Sequence, residues 1–188
     1  MLIQLQRVGC NLFNQGLVSS HSGNLSIRLG ERLSITRRFC MLGHLSEYDV
    51  VETGITKNDR ATPLASSELV VHRSIYQETP ALAIVHAHPP HAVALSFVEK
   101  EIVPCDREGS LVLGRVPVLK ENPGVGTEEL ARLIAQELKQ HRIVVIRGHG
   151  SFATGQLLEE AYHYTTALEE SCRILYLLKT LGVNPLEW

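Results

Sequence analysis

The segment IVHAHPPHA, residues 84–92, sets three histidines within nine positions on an apolar run. His86 and His88 are two apart on a predicted strand, so both side chains leave the same face. Two charged imidazoles there would repel, whereas two neutral ones are natural metal donors. Their nitrogens could reach one ion at the roughly 2.0–2.1 Å that zinc prefers. Pro89 and Pro90 stop the strand at once, which puts the pair at a sheet end. A third donor is offered by RIVVIRGHGSFATG, where His149 follows another apolar strand between two glycines. A ring flanked by glycines suits close approach of backbone to a site. Three histidines with one open position describe a catalytic zinc more than a structural one. The plainer alternative is that each is a packed or exposed histidine. His72, inside a helix on its apolar side, is read that way, and His91, behind the two prolines, as a neighbour near the site mouth.

Two polar stretches could serve an anion. In ASSELVVH, Ser66 and Ser67 precede a helix and Glu68 falls in its first turn. Free N–H groups and the helix dipole favour phosphate at such an end. A capping serine followed by a helix-favouring acid reads the same way without any ligand. SSHSGNLS adds Ser19, Ser20, Ser22, Gly23 and Asn24 in one turn, with Gly23 allowing a tight bend.

The elements that must carry these residues follow from periodicity. Leu2, Leu5, Val8, Leu12 and Phe13 have helical spacing, and Gly16 is a stop. NLSIRLGERLSIT alternates as two short strands turning at Gly30-Glu31. Residues 37–65 read as loop-rich, with a short strand near DVVETG. The pattern then predicts a helix after the serine pair, a strand over ALAIVHAH, a helix over HAVALSFV and a strand over RVPVL. TEELARLIAQELKQH is a helix capped at Thr127 with acids in its first turn. A buried strand in RIVVIRGHG, a short strand in SFATG and one long helix over 157–180 complete the chain. The class is α/β, with a central mixed or antiparallel sheet covered by helices, in one domain over residues 1–188.

Composition narrows the partners. Hydrophobic residues make up 44% and charged residues 20%, as in ordinary globular proteins. A net charge of −2 offers no electrostatic footprint for nucleic acid or an anionic membrane. Cys10, Cys40, Cys105 and Cys172 are scattered without a CxxC pair, which argues for free thiols in a reducing cytoplasm. The N-terminal segment lacks a basic region and a cleavage site for secretion, and no apolar run has membrane-spanning length.

The ordered set SGNLS, SSE, HAH and GHG resembles the class II aldolase/adducin family from about residue 7 to residue 180. The resemblance implies an α/β fold with a mixed, largely antiparallel sheet and helices on both sides. It implies a homotetramer with active sites at subunit interfaces. A divalent metal, usually Zn2+ with Mn2+ or Co2+ as alternatives, would be held by His86, His88 and His149. Glu68 would be the acid/base and would also touch the metal in the resting state. Asn24, Ser66 and Ser67 would bind the substrate phosphate, with Gly23 supporting their loop. The implied reaction is aldol cleavage or formation of a ketose 1-phosphate, from dihydroxyacetone phosphate and an aldehyde. Related chemistries in this family are those of methylthioribulose phosphate dehydratases and pentulose phosphate epimerases, and an adducin-like binding module is the non-enzymatic alternative.

The chain departs from the family pattern in three places. The phosphate loop, often Thr-Pro-Thr/Ser-Gly, here reads ITRRFCMLG: Thr36 is kept, Arg37 and Arg38 follow, and the tight glycine is missing. Arginines could bind phosphate or a carboxylate through bidentate contacts, or form a solvated surface pair. Residues 100–118, where sugar aldolases can supply a tyrosine to the neighbouring subunit, contain none; Asp106, Arg107 and Glu108 stand there. VNPLEW leaves little tail after the long helix to close over a site.

Overall fold

A computed structural model of the chain describes residues 1–120 and 126–183. Beyond Val183, the tail read above lies outside the described residues. The chain opens with helix α1 (Leu2–Asn14), whose Leu5, Val8 and Leu12 are buried at the expected spacing. Strands β1 (Asn24–Leu29) and β2 (Arg32–Thr36) form the hairpin, turning at Gly30 with φ of 61°. Strand β3 (Val50–Gly54), helix α2 (Leu69–Glu78), strand β4 (Ala83–Ala87) and helix α3 (Pro90–Ser96) follow. Then come β5 (Glu101–Ile102), α4 (Arg107–Val112), β6 (Val116–Leu119), α5 (Glu128–Glu137), β7 (Ile143–Ile146), β8 (Gly150–Gly155) and α6 (Leu158–Thr180).

Eight strands form one sheet in the order β3-β2-β1-β4-β8-β7-β6-β5. Only β6 and β7 pair in parallel, so the sheet is mixed and largely antiparallel, as expected. Both faces are covered, and the central strands show why. In β4, Ala83, Val85 and Ala87 point into a core built with α1, α3 and α6, while Ile84 joins a second core with α2 and α5. Strand β7 splits likewise: Ile143 and Val145 to one side, Val144 and Ile146 to the other. Successive side chains alternate faces, so a strand covered on both sides becomes apolar throughout. Against that background His86, fully buried on the α2 side of β4, is a polar side chain in an apolar row.

Some local expectations are corrected. The serine pair does not cap α2. Glu68 occupies the cap position, no side chain caps it, and Ser66 Oγ instead accepts the Glu68 N–H at 3.3 Å. The polar pull of the sheet end on Glu68 outweighs the capping preference of Ser66. Pro90 does more than end a strand: it starts α3, where its missing N–H is harmless. His91 is not near the site mouth. It lies on α3 facing α6, and its Nδ1 is 2.7 Å from Glu169. Strand β5 and helix α4 were not foreseen, being two and six residues long. Asp106 caps α4, its carboxylate accepting the Gly109 N–H at 2.7 Å.

Where β8 begins, Gly150 lies against β4. A Cβ added there would come 2.3 Å from the Ala87 carbonyl oxygen and 2.8 Å from His88 Cδ2. The central strand cannot yield, so Gly150→Ala should destabilise the protein by about 1–3 kcal/mol and displace the His88 ring. Urea unfolding measures the first effect and NMR of the histidine rings the second. A variant with the wild-type midpoint and unshifted His88 ring signals would contradict this packing account.

Candidate metal centre and active site

Sheet register builds the first row of the site. Asn24 on β1, His86 on β4 and Phe152 on β8 are direct cross-strand neighbours. Their side chains share the face covered by α2. The His86 ring stacks on Phe152, with centroids 4.2 Å apart and planes inclined by 18°. That contact and a bond from Nδ1 to the Ser151 carbonyl oxygen, 3.0 Å, lock the imidazole. A carbonyl only accepts, so Nδ1 carries a proton and Nε2 is the nitrogen that faces Glu68.

His88, one residue beyond β4, is tied by its N–H to the Leu17 carbonyl at 2.7 Å. His149 sits in the turn between β7 and β8. Gly148 before it has φ of 70°, and its N–H donates to Ser96 Oγ at 2.9 Å. The three rings form a near-equilateral triangle, with centroids 4.9, 4.9 and 5.0 Å apart and each pair roughly edge to face. One ligand nitrogen from each lies within 4.8 Å of the others. The two strand ends and the turn thus bring together the three histidines expected from the sequence.

Glu68, at the start of α2, closes this triangle. Its Oε2 is 2.9 Å from His86 Nε2, and its Oε1 is 3.6 Å from His149 Nε2. The carboxylate is only 6% exposed. Burial alone would push its pKa up, but the charge of His86, hydrogen bonds from His86 and Asn24, and His149 hold it well below the usual carboxylate range. Burial, then His86 and the other rings, lowers His88 to about 3 and His149 to about 4. Both are neutral donors at pH 7. Glu68 Oε1 and His149 Nδ1 are buried without a hydrogen-bond partner. His86 Nε2 and Glu68 Oε2, 2.9 Å apart, need either a proton or a metal cation between them. The donor set therefore fits a divalent metal with nitrogen and oxygen ligands.

Around this centre lies a cavity of about 270 Å³, whose wall includes Gly23, Asn24, Arg37, Arg38, Ser66, Ser67, Glu68, His88 and His149. Most residues expected to bind phosphate are thus on one surface. Thr36 is the exception. It is fully buried, its Oγ1 accepts the Leu25 N–H at 3.1 Å, and its carbonyl accepts the Ser66 N–H at 3.2 Å. It supports the wall from behind. Gly23 has φ of 76°, and a Cβ there would meet Val18 Cγ1 at 2.6 Å and the His86 carbonyl at 2.8 Å. Arg37 is held by Asp49 at 2.9 Å, while Arg38 makes no ion pair among the described residues. A larger cleft, about 590 Å³, lies by His91 and Glu169, away from the triad.

His72, read from the sequence as a packed or exposed helix residue, has partners that the sequence did not indicate. It is fully buried, lowered by desolvation to about 3, and bonded to both Asn24 and Ser26. A polar residue on the apolar stripe of a helix was the available signal.

With fold and site described, the comparisons with known proteins agree. The family described as Class II Aldolase and Adducin N-terminal domain matches residues 3–176, and the chain belongs to it. The crystal structure of L-fuculose-1-phosphate aldolase from Thermus thermophilus superposes with a TM-score of 0.91 at 39% identity, covering 96% of this chain and 95% of that one. An L-fuculose phosphate aldolase of Methanococcus maripaludis is 30% identical over 96% of this chain and 98% of its own. A methylthioribulose-1-phosphate dehydratase of Acidiphilium cryptum is also 30% identical, over 88% and 85%. The described residues contain no helix long and apolar enough to cross a membrane.

These geometries predict a pH-sensitive metal site. Protein purified without chelators should carry about one divalent metal per chain, and His88→Ala should lose it, as read by elemental analysis. In the unfolded chain His88 and His149 take up protons near 6.5, but in the folded chain only near 3 and 4. The unfolded state therefore binds more protons below pH 6.5, and stability falls as pH drops from there towards 4. Urea midpoints of the chelator-treated chain at pH 7.5, 6 and 5 should decline in that order, and a flat profile would contradict the assignment.

Proposed function

We propose that the chain is a divalent-metal-dependent aldolase acting on a small ketose 1-phosphate, with dihydroxyacetone phosphate and an aldehyde as the cleavage products. The observation that carries this reading is the convergence of the His86, His88 and His149 nitrogens on the buried Glu68 carboxylate, beside a wall of hydroxyl, amide and guanidinium donors. Zn2+ fits the donor set, with Mn2+ or Co2+ as substitutes. A bound cation supplies electrostatic stabilisation of negative charge developing on the substrate oxygens.

The side chains divide the remaining work. Glu68 stays ionised and half-satisfied, so Oε1 can take a proton. In the synthetic direction it removes the proton from the hydroxymethyl carbon of dihydroxyacetone phosphate. That C–H electron pair forms the bond to the aldehyde carbon, and the aldehyde oxygen gains a proton. Cleavage is the reverse. Ser66 keeps its O–H free to donate to phosphate, and Ser67 is exposed on the same wall. Arg38, which makes no ion pair among the described residues, supplies a guanidinium, while Asp49 holds Arg37. Fixing the phosphate positions the reacting carbon beside Glu68.

A second reading is dehydration, as the name of the Acidiphilium relative has it. The absence of tyrosine from residues 100–118 favours it. Four unpaired cysteines fit a reducing cytoplasm. Phe39 and Phe97 stay 77% and 63% exposed, Phe39 on the cavity wall and Phe97 packed on Gly148. Their exposure supports a homotetramer in which a neighbouring subunit covers the site, and light scattering at a fourfold mass checks it.

Incubating the zinc-loaded protein with dihydroxyacetone phosphate and a panel of aldehydes should give new C–C products. Failure with every aldehyde, together with water loss from methylthioribulose 1-phosphate, would move the assignment to dehydration. Glu68→Gln should retain metal yet slow exchange of the C3 proton of dihydroxyacetone phosphate by about 100-fold or more. Normal exchange in that variant would refute the acid/base role. Arg38→Ala should raise KM for phosphorylated substrate about tenfold, the effect of losing one charge-assisted hydrogen bond. Arg37→Ala should raise it less, and a reversed order would reassign the phosphate contact.

A further inference from the structure

Behind Glu68 runs a buried line of polar side chains that, beyond Asn24, does not line the cavity. Asn24 Nδ2 is 2.7 Å from Glu68 Oε2, and Asn24 Oδ1 is 2.5 Å from His72 Nε2. His72 Nδ1 is 2.6 Å from Ser26 Oγ, which is 2.7 Å from the Tyr76 hydroxyl. Ser26 and His72 have no exposure, Tyr76 has 1% and Asn24 has 5%.

Donor and acceptor roles can be assigned from the carboxylate end. An ionised carboxylate only accepts, so the Asn24 amide nitrogen must donate to it. That turns Asn24 Oδ1 towards His72, and an amide oxygen also only accepts. His72 Nε2 must therefore carry a proton. No carboxylate touches either ring nitrogen, so in this dry setting the imidazole is neutral and Nδ1 is an acceptor. Ser26 donates to it, and Ser26 Oγ then accepts from Tyr76. Asn24, His72 and Ser26 each donate once and accept once along this line, and every proton points towards Glu68.

We propose that His72 is a positioning residue for Glu68, fixing the Asn24 amide so that its N–H and not its oxygen faces the carboxylate. The inference rests on the acid/base role proposed for Glu68. It also gives Asn24 a task besides contacting phosphate. Without the His72 donor, the amide is free to turn over and present its oxygen to Glu68, whose carboxylate would then swing out of line.

Two measurements test this on the zinc-loaded protein. In histidine labelled with nitrogen-15, the His72 ring should show a protonated Nε2 and an unprotonated Nδ1 by NMR; the opposite tautomer overturns the proposal whatever the activity. In kinetics, His72→Leu should keep its metal and slow C3 proton exchange of dihydroxyacetone phosphate about 10- to 100-fold, with KM within about twofold of wild type. His72→Gln, which keeps an N–H donor, should recover most of the loss. Unchanged exchange in His72→Leu, a proportionate rise in KM, or no recovery in His72→Gln would each overturn the positioning role. Should His72→Leu fail to fold, Ser26→Ala replaces it, with a smaller loss in the exchange rate at unchanged KM expected and a KM effect overturning the role. Absence of exchange in the wild type would count against the aldolase reading alone, and the ring tautomer would then decide the relay.

Discussion

A carboxylate that is 6% exposed must find compensating charge, and at Glu68 that demand organises the site. An unpaired buried carboxylate is too costly to persist and would neutralise instead. Here three imidazoles and one amide surround it, and the group stays ionised. The same compensation has a second consequence. Nitrogens able to neutralise Glu68 by proton or by hydrogen bond are also the nitrogens able to bind a metal. Folding stability and cation binding are therefore written in the same atoms, and changing either partner alone leaves a buried charge exposed to its full desolvation penalty.

The fold meets that demand through register. A one-residue slip of β1 against β4 would send Asn24 to the opposite face from His86 and break the row they form with Phe152. The β1–β2 hairpin and the turn after β7 hold that register from both sides. Gly150 lets β8 come close enough to β4 for Ser151 to bond His86. The carbonyl sets the tautomer, the tautomer aims the lone pair, and the aimed lone pair makes the histidine a ligand. Each link is an ordinary backbone requirement, and the chemistry follows from their conjunction.

Much of this was legible because period-two and period-3.6 patterns report which face a side chain takes. The His86–His88 spacing, the glycines around His149 and the sheet class with its covered faces all follow from such patterns. What escaped depended on competition between long-range partners. Ser66 has a good capping side chain, yet the charge cluster on the sheet claims Glu68 and moves the helix start to Leu69. His91 reads as a neighbour near the site mouth because nothing local shows that the turn into α3 takes it to Glu169. Spacing places His72 on the apolar stripe of α2 but does not name its partners on β1, which are 46 and 48 residues away in sequence. Arg37 and Arg38 were indistinguishable until Asp49 was seen to occupy one of them.

The loop that departs from the family pattern shows how far a local rule can be bent at a working surface. Phe39 is the one non-glycine among the described residues with a positive φ, 61°. A side chain in that region costs about 1–2 kcal/mol, which glycine avoids. The bend is thus carried by a residue less suited to it than glycine. Some gain must offset the strain, and the ring is not gaining it by burial, since Phe39 is 77% exposed. It stands on the cavity wall next to Arg38, so the conformation presents an apolar ring and a free guanidinium to whatever occupies that space. Residues strained and exposed together tend to be kept for contacts outside their own fold. The bend at Phe39 and the exposed Arg38 thus form one side of the cavity that holds His88, His149 and Glu68.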